Sequence, residues 1–291
     1  MEKHLLVTVS EQQSALYGIR FVGQFFSNKD HLKLTLFYTA PKPAAVWHEE
    51  HTRDALAQSE QQARQYETKG RKALQEAKKE LVKYGFAEKQ ISPKFQVRQL
   101  SKVMDIIQEA EKGLYDAVVL GRRGLSWLAE AFDESVSKGV LGKKITFPLW
   151  LCRRPDLERK NVLLCLDGSD AAYRMADHLG FVLSNEKKHE ATLLLIKKPG
   201  AASKESPESI LSKGKEHLAR GGYPVESTKT KIIESGNVAK TILKEAEKNR
   251  FAAVAVGRTG ANKAFLRRVF MGSVSKTLFD DLERAALWVS P

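Results

Sequence analysis

Short apolar runs and amphipathic stretches alternate along the whole chain. Residues 4–9 (HLLVTV) read as a strand, and residues 11–27 place Ala15, Leu16, Ile19, Val22 and Phe26 at helical spacing. A second strand is expected at 32–38 (LKLTLFY), stopped by Pro41 and Pro43. From Glu49 to Tyr84 the pattern predicts a long polar helix with a narrow stripe of Leu56, Ala63, Tyr66, Ala73, Leu74, Ala77 and Leu81. Unbroken, it would be about 50 Å long at about 1.5 Å per residue, with Gly70 as the point of interruption. A strand at 93–98, a helix at 101–112, a strand at 116–120, a helix at 134–142 and a strand at 146–152 complete the unit. This alternation implies a mostly parallel sheet with helices on both faces.

The polar segment Arg153-Arg154-Pro155-Asp156 interrupts the pattern, and then the cycle restarts. Strands are expected at 161–166, 191–196, 228–233, 251–256 and 285–290. The intervening helices fall at 169–184, around Ile210 to Leu218, at 237–248 and from Gly272 onward. The halves also match in sequence: IIQEAEKGLYDAVVLGRRG parallels ILKEAEKNRFAAVAVGRTG, and ESVSKGVL parallels GSVSKTLF. Self-similarity at this scale marks an internal duplication. The expected architecture is two tandem doubly wound α/β domains, 1–156 and 157–291. Each would be a five-stranded, mostly parallel sheet of order 3-2-1-4-5.

Charge and composition narrow the function classes. The chain has 291 residues, 42% hydrophobic and 29% charged, the balance of an ordinary globular protein. Its net charge of +13 divides as +6 over residues 1–156 and +7 over 157–291, so no basic tail carries it. Such a surface attracts anions in general. No helix-turn-helix, zinc-finger or RNP-type pattern points to nucleic acid. No apolar run approaches the ~18–20 residues that span a bilayer. The start, MEKHLLVTVSEQQ, reads as a buried strand and not as a signal peptide. Cys152 and Cys165 form no C-x-x-C pair and read as small core residues of a cytoplasmic protein.

Ligands of doubly wound sheets sit beyond the carboxyl ends of the strands, where strand order reverses. In the second half the loops after the first and fourth strands would face one another there. They carry Asp167-Gly168-Ser169 and the stretch from Gly257. An aspartate can accept hydrogen bonds from a ribose or a base. Gly257 and Gly260 let backbone approach a ligand, and the amides at Gly272, Ser273 and Val274 open a helix whose positive end suits phosphate. The hydroxyls of Ser273 and Ser275 add donors, and Arg258, Lys263, Arg267 and Arg268 add positive charge. Asp167-Gly-Ser-Asp170 is also an ordinary turn followed by helix-capping residues.

On these residues the chain resembles the universal stress protein family, as two fused domains over nearly its whole length. The family's mark is G-x2-G-x9-G-S/T after the fourth strand, with an aspartate after the first. Asp167, Gly257, Gly260, Gly272 and Ser273 match it, with eleven residues between Gly260 and Gly272. The resemblance implies binding of ATP, or of ADP or AMP, with Mg as an optional companion. It places the base near Asp167, Ile196 and Lys197 and the phosphates on the glycine loop. It also implies pairing of the two domains through their last strands, TFPLWLC and AALWVS, as an intramolecular pseudo-dimer. Whole chains could pair further as a homodimer.

The first half departs further from the mark. Gly121, Gly124 and Ser135 match with nine-residue spacing, but Glu134 replaces the third glycine and Ser10 the aspartate. A carboxylate at a helix N-terminus suits the dipole yet repels phosphate, at about 4 kcal/mol for a 4 Å separation at an effective dielectric of 20. This half therefore reads as a degenerate, mainly structural copy. The loop is no Walker P-loop, and no Asp/His pair is placed to activate water. His178 and His217 read as surface residues of helices, Asp170 and Asp177 as helix-start and helix-surface residues. The expected function is nucleotide binding as a stress-response or regulatory state without efficient turnover. The alternatives are a nucleotide-free scaffold for a protein or polyanion, and a slow ATPase.

Overall fold

The computed structural model describes residues 1–12, 16–43, 53–121, 145–200, 205–258 and 273–290. The expected helix at 134–142 lies outside them. In chain order the elements are β1 (Lys3–Thr8), α1 (Leu16–Phe25), β2 (Leu32–Ala40), α2 (Arg53–Lys83), β3 (Ile91–Val97), α3 (Lys102–Gly113), β4 (Ala117–Gly121) and β5 (Leu149–Cys152). The second series is β6 (Val162–Leu166), α4 (Asp170–Leu183), β7 (Ala191–Lys197), α5 (Pro207–Arg220), β8 (Thr228–Glu234), α6 (Val238–Lys248), β9 (Ala253–Gly257), α7 (Ser273–Asp281) and β10 (Ala286–Ser290).

All ten strands form one sheet, in the order β3-β2-β1-β4-β5-β10-β9-β6-β7-β8. Each half therefore has the order 3-2-1-4-5. Every pairing is parallel except the central one, where β5 meets β10 antiparallel with Trp150 opposite Trp288. The expected joining of the last strands is thus what the chain does, although β5 is shorter than the predicted run and begins only at Leu149. Both outer strands carry lysines, Lys94 on β3 and Lys229 and Lys231 on β8, and β3 also carries Pro93. These residues discourage further edge pairing.

Apolar runs of the inner strands are buried on both faces, as parallel sheets require. One face packs α1, α2, α4 and α5 through residues such as Ile19, Leu81, Leu179 and Leu218. The other packs α3, α6 and α7 through Ile106, Ile242 and Leu278. Each core runs across both halves. Gly70 does not interrupt α2. It marks the place where the helix lies on the stacked rings of Tyr38 and Phe95, and a Cβ there would meet them at 2.6 and 2.7 Å.

At the junction the indoles of Trp150 and Trp288 stack at 4.1 Å and 5°. Phe21 of α1 meets both edge-on at 6.3 Å, and His178 of α4 lies against both from the second half. His178 is therefore a junction residue and not the surface residue its helical position suggests. Trp150 Nε1 donates to His178 Nε2 at 3.0 Å, so this nitrogen is the unprotonated one. Burial pushes the imidazole down to about 3.

The end of α1 is completed by the other half. Lys160 Nζ donates to Gln24 O, and the His189 Nε2–H donates to Phe25 O at 2.7 Å. The amides of Ser27 and Asn28 donate to the two carboxylate oxygens of Glu186, at 2.9 and 3.2 Å. Groups that a helix end leaves open are thus satisfied across the junction.

A histidine held neutral in the fold and titrating near 6.5 when unfolded makes stability pH-dependent. The contribution is intact above about pH 6.5 and is lost as pH falls toward 3, at up to about 1.4 kcal/mol per pH unit. Replacing His178 by Gln keeps an acceptor for Trp150 and removes the titration. Urea unfolding at pH 7 and pH 5 is expected to show the wild type losing more stability than H178Q between the two.

Candidate functional site

The carboxyl ends of β6, β7 and β9 bring the second-half candidates to one edge. Strand β6 pairs with both β7 and β9, so the loops that follow these three strands are neighbours. Asp167 leaves β6 exposed, and its Oδ1 accepts from the Ser169 amide at 3.0 Å. Gly168 follows at φ +78°, a conformation that turns the chain into α4. Ser169 caps that helix, accepting from the Ala172 amide at 3.2 Å. Asp170 begins it, as expected. Ile196 and Lys197 end β7, the first half-buried and the second exposed.

Gly257 ends β9 and lies against the first turn of α4. A Cβ here would stand 2.7 Å from the Ala172 nitrogen and 2.9 Å from the Ala171 carbonyl carbon. Both are backbone atoms and cannot swing aside. The glycine therefore serves the packing of helix on strand as well as any ligand. Ser275, in the first turn of α7, is buried and donates its Oγ proton to Gly257 O at 3.3 Å. This bond draws the start of α7 over the end of β9, and it also commits that hydroxyl to the protein. Ser273 opens α7 and is exposed, while Val274 packs against the core. Arg258 reaches toward the first half and donates to Ile145 O at 3.5 Å. Burial, and secondarily Arg174, hold its guanidinium below the usual arginine range. Gly260, Lys263, Arg267, Arg268 and Gly272 lie outside the described residues, as do Arg122, Arg123, Gly124, Glu134 and Ser135.

One residue at this edge was not foreseen. Tyr173, in the first turn of α4, stacks on His217 at 5.0 Å and 10°. Its hydroxyl is buried without a hydrogen-bond partner. Burial first, then the charge of Glu205, raise its pKa, with smaller contributions from Asp167 and Asp170. A tyrosine at helical spacing reads as core in a sequence, and only the fold shows its polar end beside the Asp167 turn. His217 is tied to Asp177 at 2.9 Å. Among the described residues no group of three His, Cys, Asp or Glu side chains could hold a metal ion. No described helix is long and apolar enough to cross a membrane.

The repeated order and the paired last strands coincide with a family model that matches twice, over residues 1–153 and 158–282. The chain belongs to the universal stress protein family. Among solved structures it is similar to a universal stress protein from Archaeoglobus fulgidus, with 17% identity, 99% of this chain and 97% of that one covered, and a TM-score of 0.65. A universal stress protein structure from Pseudomonas aeruginosa is 15% identical, covers 99% of this chain and 93% of its own, and has a TM-score of 0.50. At these identities the likeness establishes the fold. No curated protein matches the chain.

The steric position of Gly257 yields a direct expectation for this universal stress protein. Gly257→Ala should lower stability by about 1–3 kcal/mol, the range for a forced overpacking. Chemical denaturation without any ligand would register it. An unchanged midpoint would show that α4 can withdraw from the strand end at no cost.

Proposed function

We propose that the chain binds ATP or a related adenine nucleotide at the carboxyl edge of β6, β7 and β9. The reading makes it a stress-response or regulatory protein that works by occupancy of this site and not by efficient turnover. The observation that carries it is the convergence of Asp167, Ile196, Lys197 and Gly257 on adjacent strand ends, with α7 held over β9 through Ser275. In this assignment Asp167 and Gly168 receive the ribose or base, beside Ile196 and Lys197. The backbone of Gly257 and Gly260 with the helix start at Gly272, Ser273 and Val274 receives the phosphates. Arg258 contributes positive potential from the side, and Ser275 positions the helix by its bond to Gly257. Mg would accompany the phosphates. The fit rests on this chain's own features: an exposed carboxylate, a strand end too close to a helix for any side chain, and a helix start directed at the same edge.

Within the same proposal the paired halves act as an intramolecular pseudo-dimer, whole chains can associate further, and the compartment is the cytoplasm. The last point draws on Cys152 and Cys165, two thiols without a disulfide. The alternatives are a nucleotide-free scaffold for a protein or polyanion and, as the one enzymatic reading, a slow ATPase whose substrate the same site would hold.

Calorimetric titration of ATP into the full chain provides the test. Wild-type protein is expected to bind, Asp167→Ala to bind at least tenfold more weakly, and Gly272→Glu not to bind at all. The glutamate copies Glu134 of the first half and sets a carboxylate against the phosphates. Absence of ATP, ADP and AMP binding to wild type would sink the nucleotide reading in favour of the scaffold. Phosphate release that Asp167→Ala abolishes would favour turnover.

A further inference from the structure

Two histidines of the second half direct their ring hydrogen bonds at the first. His178 of α4 accepts the Trp150 Nε1–H at 3.0 Å, and the His189 Nε2–H donates to Phe25 O at 2.7 Å. Both bonds cross the junction of β5 with β10, and both exist only while the halves are joined.

The first bond requires a neutral ring. An indole N–H only donates, so His178 Nε2 has to present a lone pair. A proton there would set two donors against each other between the rings of Trp150 and Trp288. Among the described residues no charged group acts on His178 to offset it.

His189 is enclosed on every side. From α1 come the Phe25 ring, at 4.6 Å, and its carbonyl. From the turn after α4 comes Glu186, with Oε2 at 3.3 Å from Nδ1. Lys160 acts on the ring from the segment before β6, and the Tyr223 hydroxyl, beyond α5, donates to His189 O at 3.1 Å. Nδ1 is buried and has no hydrogen-bond partner. Glu186 does little to favour a proton on Nδ1. Its two oxygens already accept from the Ser27 and Asn28 amides, and Lys3, Lys29 and Lys160 share its charge. Burial holds the His189 imidazole down to about 4, with the Phe25 carbonyl pulling it up and Lys160 pulling it down. Both rings are therefore neutral at pH 7 in the joined chain. Released into solvent, each would titrate near about 6.5.

The seam is also the place where the sheet can part with least disruption. Three facing pairs join β5 to β10, against four that hold β5 to β4 and five that hold β10 to β9. Its separation leaves the strand order of each half intact.

We infer that the joint between the halves is operated by protons, staying shut while His178 and His189 are neutral and parting as each takes up one proton. Such a parting is a local opening, short of unfolding. It presents two unpaired strand edges and two indoles to the surroundings, and the segment 153–161 keeps both halves on one chain. Neither histidine belongs to the nucleotide edge, so the joint responds to acid whether or not that edge is occupied.

Backbone hydrogen exchange in the full chain provides the test, read as an opening equilibrium after correction for the intrinsic exchange rate at each pH. The amides of β5 and β10 are expected to be less protected than those of β1 and β6. From pH 6 to pH 5 their opening should rise roughly fifty-fold, the value for two sites at about 3 and about 4 in the joined chain and about 6.5 once released. One such site gives roughly eightfold. His178→Gln keeps an acceptor for Trp150, and His189→Gln keeps a donor for Phe25 O. Each should cut the rise to that of one site, and the two together should abolish it. Equal protection of β5, β10, β1 and β6 at both pH values would overturn the assignment, because the halves would then part only by unfolding. A rise that persists in the double variant would overturn it as well. Should a variant fail to fold, the wild type still decides, since a rise of roughly eightfold or less excludes a joint that takes up two protons.

Discussion

The antiparallel contact of β5 with β10 is the constraint on which the rest of the molecule depends. Each half alone would be a five-stranded sheet ending in an open strand. Joined, the open strands satisfy one another, and the core under α1, α2, α4 and α5 becomes continuous from Ile91 at one edge to Leu195 near the other, while the core on the other face runs from Phe37 to Leu194. The stacked indoles of Trp150 and Trp288 fix the register at the centre, because a slip of one residue would turn one ring to the opposite face and leave the other behind. The other eight strands are ranked outward from this junction, four on each side.

Much of this order is legible in the sequence because it comes from local pattern. The strand and helix periods, the restart after Asp156 and the parallel segments around Gly121 and Gly257 suffice for the tandem 3-2-1-4-5 arrangement. What escapes notice depends on contacts distant in sequence. Gly70 resembles a helix breaker until Tyr38 and Phe95 are seen beneath it. His178 has the spacing of a surface residue until Trp150, 28 positions away, donates to it.

The candidate nucleotide edge was legible in its outline and not in its economy of groups. Asp167, Gly168, Ile196, Lys197 and Gly257 come to adjacent strand ends as the spacing suggested. Ser275, however, is bound to Gly257 O, and Arg258 is directed at Ile145 O. Residues named from a motif divide in this way between those left open at the edge and those engaged in holding the loops. Gly257 is of the second kind, since α4 requires the space that a side chain there would take.

The end of α1 shows how far the two halves have ceased to be interchangeable. Its last carbonyls and the amides beyond it are completed by Lys160, Glu186 and His189, all from the second repeat. The second repeat asks for no such help at the end of α4, where Ser184 bonds to Phe181 O within its own turn. Trp150 likewise has His178, while the Trp288 Nε1 has no acceptor. Two copies of either half placed about the same axis would duplicate one set of needs and omit the other. The repeats are thus not equivalent at the junction. A chain cut at the joint would yield two unlike pieces, each a suitable mate for the other and a poor one for itself.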